Sequence, residues 1–245
     1  MWNDMRLALR IAYEAAQVAE RAFQSSQEVR LKEDGSVVTP VDLEIEDLIR
    51  ALLAEAVPDD GVAGEERPER TGTSGRRWLV DPISGTADFV AGRPTYSVDL
   101  ALENALAVSV MPSLGLTMAA GRGMGCRVFR GELEEVARVS TRDMIRGARV
   151  CLHGKRKPVL EQCVVVDNST SVLQLLTGDV DAVIAAGAGL DEFDLACLPV
   201  LVEEAGGRVT VVEEDVVLAT NGLLHDAFLD LLVARPGVEP GTPGL

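Results

Sequence analysis

The sequence has few of the residues on which many catalytic and binding proteins depend. Aromatic residues make up 4% of the 245 residues, and there are two histidines, His153 and His225. Both lie far apart in loop-like sequence, which argues against imidazole catalysis or a histidine-based metal site. The four cysteines form no CxxC pair, so we expect buried free thiols in a reducing cytoplasm, and neither a zinc site nor disulfides.

Basic residues are also in the minority, with 23 Lys and Arg against 39 Asp and Glu and a net charge of −16. This balance argues against nucleic acid or an anionic membrane as the main partner, because both require clustered positive charge. No run reaches the roughly 18 apolar residues of a membrane span. The first 23 residues combine helical apolar spacing with charge throughout, so we expect a structural helix there and not a secretion signal.

Apolar residues nevertheless make up 47% of the chain, enough for a substantial core. Their spacing predicts helices over 4–25 and 40–56, a polar loop over 61–77, strands between 78 and 130, and strand–helix alternation after 148. A long helix is predicted from Asp194 to the glycine pair at 206–207. We therefore expect an α+β half over 1–147, an α/β half over 148–235 that shares a groove with it, and a disordered tail over 236–245.

Several acidic residues stand in sequence contexts that could bring them together. Asp42 and Glu46 lie one turn apart on the second predicted helix, where a solvated surface is the usual explanation. Glu65 belongs to the loop sequence GEE, Asp81 ends the strand-like run WLVD, and Asp194 begins the long predicted helix. Each alone is a weak signal, but together with the turn sequence DPISGT they indicate oxygen ligands for a hard cation.

Such a set of carboxylates suits a magnesium-dependent phosphatase. Mg²⁺ prefers octahedral coordination by a few carboxylates, waters and phosphate oxygens. Two such ions about 3.5–4 Å apart can lower the pKa of a bound water and neutralise charge on the leaving oxygen. A carboxylate at a rigid strand end, such as Asp81, would hold the pair together, and loop carboxylates would complete each shell.

Four parts of the sequence together resemble the inositol monophosphatase family, in the superfamily that also holds fructose-1,6-bisphosphatases. They are KEDGSVVTPVD (32–42), AGEE (63–66), WLVDPISGTADF (78–89) with GRPTYSVDLAL (92–102), and EFDLACLPVLVEEAGGRV (192–209). The resemblance implies an α+β, α/β layered αβαβα sandwich, a Mg²⁺ cofactor and a small phosphomonoester substrate. It also implies a homodimer, the common assembly of the family.

The same resemblance implies roles for individual residues. Thr86, paired with Asp42, would orient the attacking water beside the activating metal, and Asp81 would bridge two metals. The implied metal ligands are Glu65, Asp81, the backbone carbonyl of Ile83, and Asp194. The residues that would surround the substrate phosphate are Lys32, Ser84, Gly85, Thr86 and Asp194.

One position departs from the family's pattern D-P-x-D-G-T, because Ser84 stands where a second carboxylate is usual. A neutral hydroxyl is a weak Mg²⁺ ligand, and a net loss of about 2–3 kcal/mol would weaken binding of the second metal roughly a hundredfold. Asp99 stands where the family tends to have Ser, either as a compensating carboxylate or as a polar strand residue. Pro199 is expected to kink the long helix.

These departures leave two functional hypotheses. The first is a Mg²⁺-dependent phosphomonoesterase that acts on a small sugar-, polyol- or nucleotide-type phosphate with a weakened second metal site. The second is a repurposed family member that binds a phosphorylated metabolite and catalyses a non-hydrolytic reaction, such as phosphate elimination, or none. The sequence VDNSTS has no clear counterpart to the family's acidic substrate residue, so we do not expect a pocket built for inositol phosphate.

Overall fold

The computed structural model describes residues 1–23, 25, 28–32, 35–154, 160–166, 170–213 and 216–233. The predicted disordered tail over 236–245 and residues 167–169 of the VDNSTS sequence lie outside the described residues. Within the described ranges, no helix offers an apolar stretch of the length that a bilayer crossing needs. The chain forms a two-stranded ribbon and two larger sheets, with helices layered around them.

The first two helices match the predicted ranges closely. Thr39 caps the second helix, and together with Asp42 it forms a capping box in which each residue satisfies a backbone N–H of the other. Pro40 fits the first turn, where a helical N–H has no partner to lose. The ribbon leads into this cap. The bounds are α1 Trp2–Phe23, β1 Arg30–Leu31, β2 Val37–Val38 and α2 Pro40–Ala56.

The first sheet has seven strands in the order β3-β4-β5-β6-β7-β8-β9. β3 and β4 are parallel, and every later pair is antiparallel, so the sheet is a meander with one parallel edge strand. A one-turn helix, α3 (Thr86–Val90), follows β4. The strands are β3 Gly61–Gly64, β4 Arg77–Ser84, β5 Ser97–Leu102, β6 Leu106–Met111, β7 Leu116–Gly121, β8 Gly125–Arg130 and β9 Leu133–Val136.

The polar loop predicted over 61–77 is wrong for its first residues, because β3 lies there and is fully buried. Its residues are glycine, valine and alanine, which give little periodic signal. β3 pairs with β4 so that Gly64 lies opposite Val80. Glu65, the residue after β3, donates its backbone N–H to the carbonyl of Val80, which brings it beside Asp81 of β4.

The second sheet has five strands in the order β11-β10-β12-β14-β13, and it contains the strand–helix alternation predicted after 148. The last two strands form the predicted hairpin, and α6 follows it. The elements are β10 Arg149–His153, β11 Val164–Val166, α4 Ser171–Leu176, β12 Ala182–Ala186, α5 Leu198–Glu204, β13 Arg208–Glu213, β14 Val216–Thr220 and α6 His225–Val233.

Alternate residues of the strands face different layers. Trp78 and Val80 of β4 join the core beneath α1 and α2, whereas Leu79 joins the core shared with α5 and the second sheet. On the far face of the second sheet, Ile184 packs in a third core with Phe228 of α6. The order helix, sheet, helix, sheet, helix confirms the predicted αβαβα sandwich.

The long helix predicted from Asp194 is wrong at its beginning. Residues 192–197 form turns and bends, and α5 begins only at Leu198. Pro199 does not kink a second turn but occupies the first turn, because a residue without an N–H costs no hydrogen bond there. Asp194 therefore lies in an irregular segment ahead of α5, and α5 itself contacts both sheets.

The cysteines and histidines have structural surroundings. All four cysteines are free thiols; Cys126, Cys151 and Cys197 are buried, as predicted, whereas Cys163 is half-buried. The histidines do not lie in loops as expected: His153 ends β10 and His225 begins α6. His225 is fully buried, with ring nitrogens 2.9 Å from the hydroxyls of Thr210 and Thr220, so it ties α6 to the second sheet.

Candidate active site

The turn after β4 places one side of the site. The pairing of β4 with β5 shifts register between Asp81 and Ser84, and the chain then turns at Gly85. Gly85 has a φ of +84°, a conformation that strains any residue with a Cβ. Thr86 begins α3, whose first backbone N–H groups have no partner inside the helix and can meet an anion.

Asp42 and Thr86 meet at the edge of this turn. Thr86 Oγ1 lies 3.2 Å from Asp42 Oδ1 and 2.9 Å from the carbonyl oxygen of Ile83. The backbone N–H and the hydroxyl of Thr39 donate to Asp42 Oδ2 at 2.9 and 2.6 Å. Burial raises the pKa of Asp42, and the hydrogen bonds from Thr39 and Thr86 oppose that rise.

The expectation that Asp42 and Glu46 form a solvated surface is wrong, because they are only 1% and 0% exposed. This face of α2 packs against the sequence GEE. Glu46 Oε2 accepts the backbone N–H of Glu66 at 2.7 Å, and Glu46 Oε1 pairs with Arg50 Nε at 2.7 Å. Gly64 is required here because a Cβ would overlap the Glu46 carboxylate. The i, i+4 spacing of the two acids in an otherwise apolar stripe was the available signal for this role.

Lys32 lies against the two glutamates of the GEE sequence. Its Nζ is 2.5 Å from Glu65 Oε1 and 2.5 Å from Glu66 Oε1. Burial works to lower the Lys32 pKa, but the hydrogen bonds and charges of the two glutamates outweigh it and raise the pKa. Lys32 therefore neutralises part of the negative charge beside Asp81. We did not predict a part for Glu66.

Asp81 carries an uncompensated buried carboxyl. It is 1% exposed, and its Oδ1 has no hydrogen-bond partner. Burial raises its pKa well above the ordinary value, and the charges of Asp99, Glu65 and Asp194, in that order, add to the rise. A hydrogen bond with Ser84 acts in the opposite direction. Glu65 and Asp194 thus lie within electrostatic reach of Asp81, although 113 residues separate Asp194 from Asp81 in the sequence.

Asp194 joins the group from the segment before α5. Its Oδ2 accepts the backbone N–H of Asp191 at 3.0 Å. Burial raises the Asp194 pKa; the hydrogen bond from Asp191 lowers it, the charges of Asp191 and Glu65 raise it further, and Lys32 opposes them. The predicted site residues therefore form one connected group, drawn from the ribbon, α2, the ends of β3 and β4, α3 and the segment before α5.

The described residues contain no ready-made cluster of three or more His, Cys, Asp or Glu side chains that could hold a metal ion. Two observations still favour a cation. Asp81 Oδ1 and Asp99 Oδ1 are buried without partners, and carboxylates in that situation require a compensating charge or a proton. The residues thus fit a cation whose remaining ligands come from water and substrate, and they do not form a closed protein cage.

A cavity of about 310 Å³ opens from this group into the space between the two sheets. Ser84, Gly85, Asp99 and Asp194 line this cavity, and most of the other lining side chains are apolar. His153 and Ser171 line it as well, and His153 Nε2 lies 2.8 Å from the hydroxyl of Ser171. We missed this pair because its members lie on different elements and no motif links them in the sequence.

Comparisons with known proteins agree with this arrangement. The sequence profile of the inositol monophosphatase family matches residues 3–235. A histidinol-phosphatase of Mycobacterium tuberculosis is 32% identical over 261 residues, covering 95% of this chain and 98% of that protein. A Streptomyces griseus protein named glucose-1-phosphate thymidylyltransferase is 36% identical over 261 residues, covering 99% of this chain and 96% of that protein.

A solved structure has the same fold. The crystal structure of extragenic suppressor protein SuhB from Bartonella henselae superposes with a TM-score of 0.83 at 23% identity, covering 96% of this chain and 100% of that chain. The profile match spans almost the whole chain, including every residue of the site described above. The chain therefore belongs to the inositol monophosphatase family.

Proposed function

We propose that the protein is a phosphomonoesterase that requires a divalent cation, with Mg²⁺ as the cation and a small sugar-, polyol- or nucleotide-type phosphate as substrate. The observation that carries this proposal is the buried carboxylate of Asp81, whose Oδ1 has no hydrogen-bond partner and whose pKa the charges of Glu65 and Asp194 raise. Family membership and a relative named as a histidinol-phosphatase support hydrolysis of a phosphate ester.

The cation would be held by Asp81, by Glu65 or Asp194, and by the carbonyl of Ile83. When bound, it stabilises negative charge on phosphate oxygens and favours the ionisation of water. Mg²⁺ suits this site because it keeps several waters and takes only one or two carboxylates. Lys32 reduces the repulsion that Glu65 and Glu66 would otherwise exert on a phosphate dianion.

Thr86 and Asp42 would position the attacking water. Asp42 Oδ2 is fixed by Thr39, so the carboxylate cannot rotate, and its Oδ1 is turned toward Thr86. The Thr86 hydroxyl has one proton for two acceptors, Asp42 and the Ile83 carbonyl, and its free lone pair can accept a proton of the water. The first amides of α3, at Gly85 and Thr86, would then meet the phosphate oxygens.

The alcohol half of the substrate would enter the cavity between the sheets. His153 and Ser171 supply polar groups to its lining, and Ala185 lines it without adding charge. The dominance of apolar side chains favours an alcohol with an apolar face over a highly hydroxylated polyol such as inositol. The homodimer and the division of the chain near residue 147 also remain proposals.

The alternative is a repurposed member that binds a phosphorylated metabolite without hydrolysing it. Ser84 is the observation that favours it, because a neutral hydroxyl stands at the turn beside Asp81. A loss of electrostatic help at the leaving oxygen would leave substrate binding intact but slow the chemical step.

Phosphate release from a panel that includes histidinol phosphate, inositol phosphate, a hexose phosphate and a nucleoside monophosphate tests the proposal. Each substrate is assayed across a Mg²⁺ titration with the wild-type protein and with Asp81→Asn. We expect Mg²⁺-dependent release that Asp81→Asn abolishes. Absence of release from every substrate, with binding of at least one, would favour the repurposed alternative, and activity retained in Asp81→Asn would overturn the site assignment.

A further inference from the structure

Asp81 and Asp99 face each other across two strands of the first sheet. The antiparallel register of β4 and β5 pairs Asp81 directly with Asp99. Residues in such positions have Cβ atoms about 4.5–5.5 Å apart, so the two carboxyl groups share one small space. Asp99 is the residue whose charge raises the pKa of Asp81 most.

Neither carboxyl is fully satisfied by the protein. Asp81 is 1% and Asp99 is 8% exposed, and the Oδ1 atom of each has no hydrogen-bond partner. Like charges directly opposite one another on a sheet destabilise it, and burial removes the water that would screen them. The nearby ammonium of Lys32 is engaged with Glu65 and Glu66. The pair therefore presents two free carboxylate oxygens with an unmet need for positive charge.

Serine hydroxyls surround this pair. Beyond the register shift Ser84 of β4 pairs with Ser97 of β5, and Asp99 pairs with Ser109 of β6. Ser97 and Ser109 hydrogen-bond to Asp99, which orients its carboxyl, and both line the cavity with it. Asp99 thus reaches the site from β5, whereas Ser84 at the end of β4 contributes only a neutral oxygen.

We propose that Asp81 and Asp99 together bind one divalent cation, so that Asp99 supplies from β5 the carboxylate that Ser84 does not supply from β4. This proposal rests on the proposed function, because the cation would be the one that serves the phosphate ester. It assigns to Asp99 a part in cation binding that the turn sequence alone does not contain. A proton shared between the two carboxyls is the competing state and is an outcome of the test.

The test measures cation binding directly, without substrate. Mn²⁺ is titrated into the purified full chain and free Mn²⁺ is followed by electron paramagnetic resonance, with Mg²⁺ competition to obtain its affinity. The proteins are the wild type, Asp99→Asn, Ser84→Asp/Asp99→Asn, and Asp226→Asn as a control for loss of one charge on the exposed face of α6. Near-UV circular dichroism verifies that each variant is folded. If the asparagine side chain prevents folding of Asp99→Asn, Asp99→Ser is used in its place.

We expect Asp99→Asn to weaken binding about tenfold or more, because one of the carboxylate ligands is lost. Moving the carboxylate to position 84 in the double variant should recover most of that loss, and Asp226→Asn should bind as the wild type does. Equal affinity in the wild type and Asp99→Asn would overturn the proposal and indicate a shared proton. A phosphate-release assay separates this proposal from the proposed function. If the wild type hydrolyses esters but its cation affinity does not depend on Asp99, only the role of Asp99 is refuted. If cation binding depends on Asp99 but no ester is hydrolysed, only the proposed function is refuted.

Discussion

Thr86 Oγ1 lies 3.2 Å from Asp42 Oδ1, although the two residues are 44 positions apart in the sequence. The contact joins the first turn of α2 to the first turn of α3. Asp42 thereby serves two roles at once, since it also accepts the hydrogen bonds from Thr39 that cap α2.

Replacing Thr86 by valine tests the catalytic half of that relationship. Valine keeps the shape but removes the hydroxyl, so we expect kcat to fall about 10²–10⁴-fold if the hydroxyl positions the attacking water. The free energy of unfolding should fall by about 1–3 kcal/mol, because the buried Asp42 Oδ1 loses its hydrogen-bond donor. Steady-state kinetics and urea unfolding measure the two effects, and Thr86→Ser, which retains the hydroxyl, should keep most of the activity. A valine variant as active as the serine variant would contradict the role.

Lys32 should stabilise the fold most when no cation is present. In Lys32→Met, Glu65 and Glu66 lose their shared ammonium, and we expect a loss of about 1–2 kcal/mol in the free energy of unfolding in a chelating buffer. Added Mg²⁺ should recover part of that loss by providing positive charge. Arg67→Met removes a surface partner of Asp47 and is the matched control, for which Mg²⁺ should recover nothing. Thermal melts with and without Mg²⁺ make the comparison.

The stability of the cation-free protein should depend on pH through Asp99. Burial, opposed by hydrogen bonds from Ser109 and Ser97 and aided by the charge of Asp194, raises the Asp99 pKa from 3.8 to about 6. Between these values the folded protein holds the proton more tightly than the unfolded chain does, so the contribution of Asp99 to stability falls as pH rises. From about pH 4 to pH 7 the wild type should lose on the order of 1–2 kcal/mol relative to Asp99→Asn, measured by urea unfolding. Parallel pH profiles would show that Asp99 does not titrate there.

Gly64 should not tolerate a side chain. In Gly64→Ala the new methyl group would overlap the Glu46 carboxylate, which Arg50 and the Glu66 amide hold in place. We expect a loss of about 1–3 kcal/mol in the free energy of unfolding and weaker cation binding, because Glu65 would be displaced. Shortening the carboxylate in Gly64→Ala/Glu46→Asp should recover part of both. Chemical unfolding and Mn²⁺ titration are the measurements, and an alanine variant that matches the wild type in both would refute the steric argument.

Local signals in the sequence predicted some elements well. The helix predicted over 40–56 has the bounds of α2, with Pro40 in its first turn, and the structure adds the capping box of Thr39 and Asp42. The αβαβα layering followed from the family resemblance. β3 was missed because glycine and alanine carry no periodic signal. The predicted helix was too long because Asp194 was taken as its first residue, whereas α5 begins at Leu198 with Pro199 in its first turn.

Non-local contacts explain the other differences between the predictions from the sequence and the structure. The burial of Asp42 and Glu46 depends on what packs against α2, and their place in its apolar stripe does not tell which segment covers them. The pairing of Asp99 with Asp81 depends on strand register, which a bulge between Asp81 and Ser84 alters. The His153–Ser171 contact links β10 to α4 across the cavity. Such relationships become visible only when the strands are aligned in space.

The position of α5 between the two sheets has a consequence for the order in which activity and structure are lost on heating. Asp81 lies in the first sheet, whereas Asp194 precedes α5, the helix that spans the gap between the two sheets, and Glu192 of the same segment pairs with Arg77 of β4. A slight undocking of the layers would widen that gap while both sheets keep their strands. Activity should therefore be lost on warming before the secondary structure is lost. Substitutions that improve packing between the two sheets should raise the temperature of inactivation more than substitutions that stabilise either sheet alone.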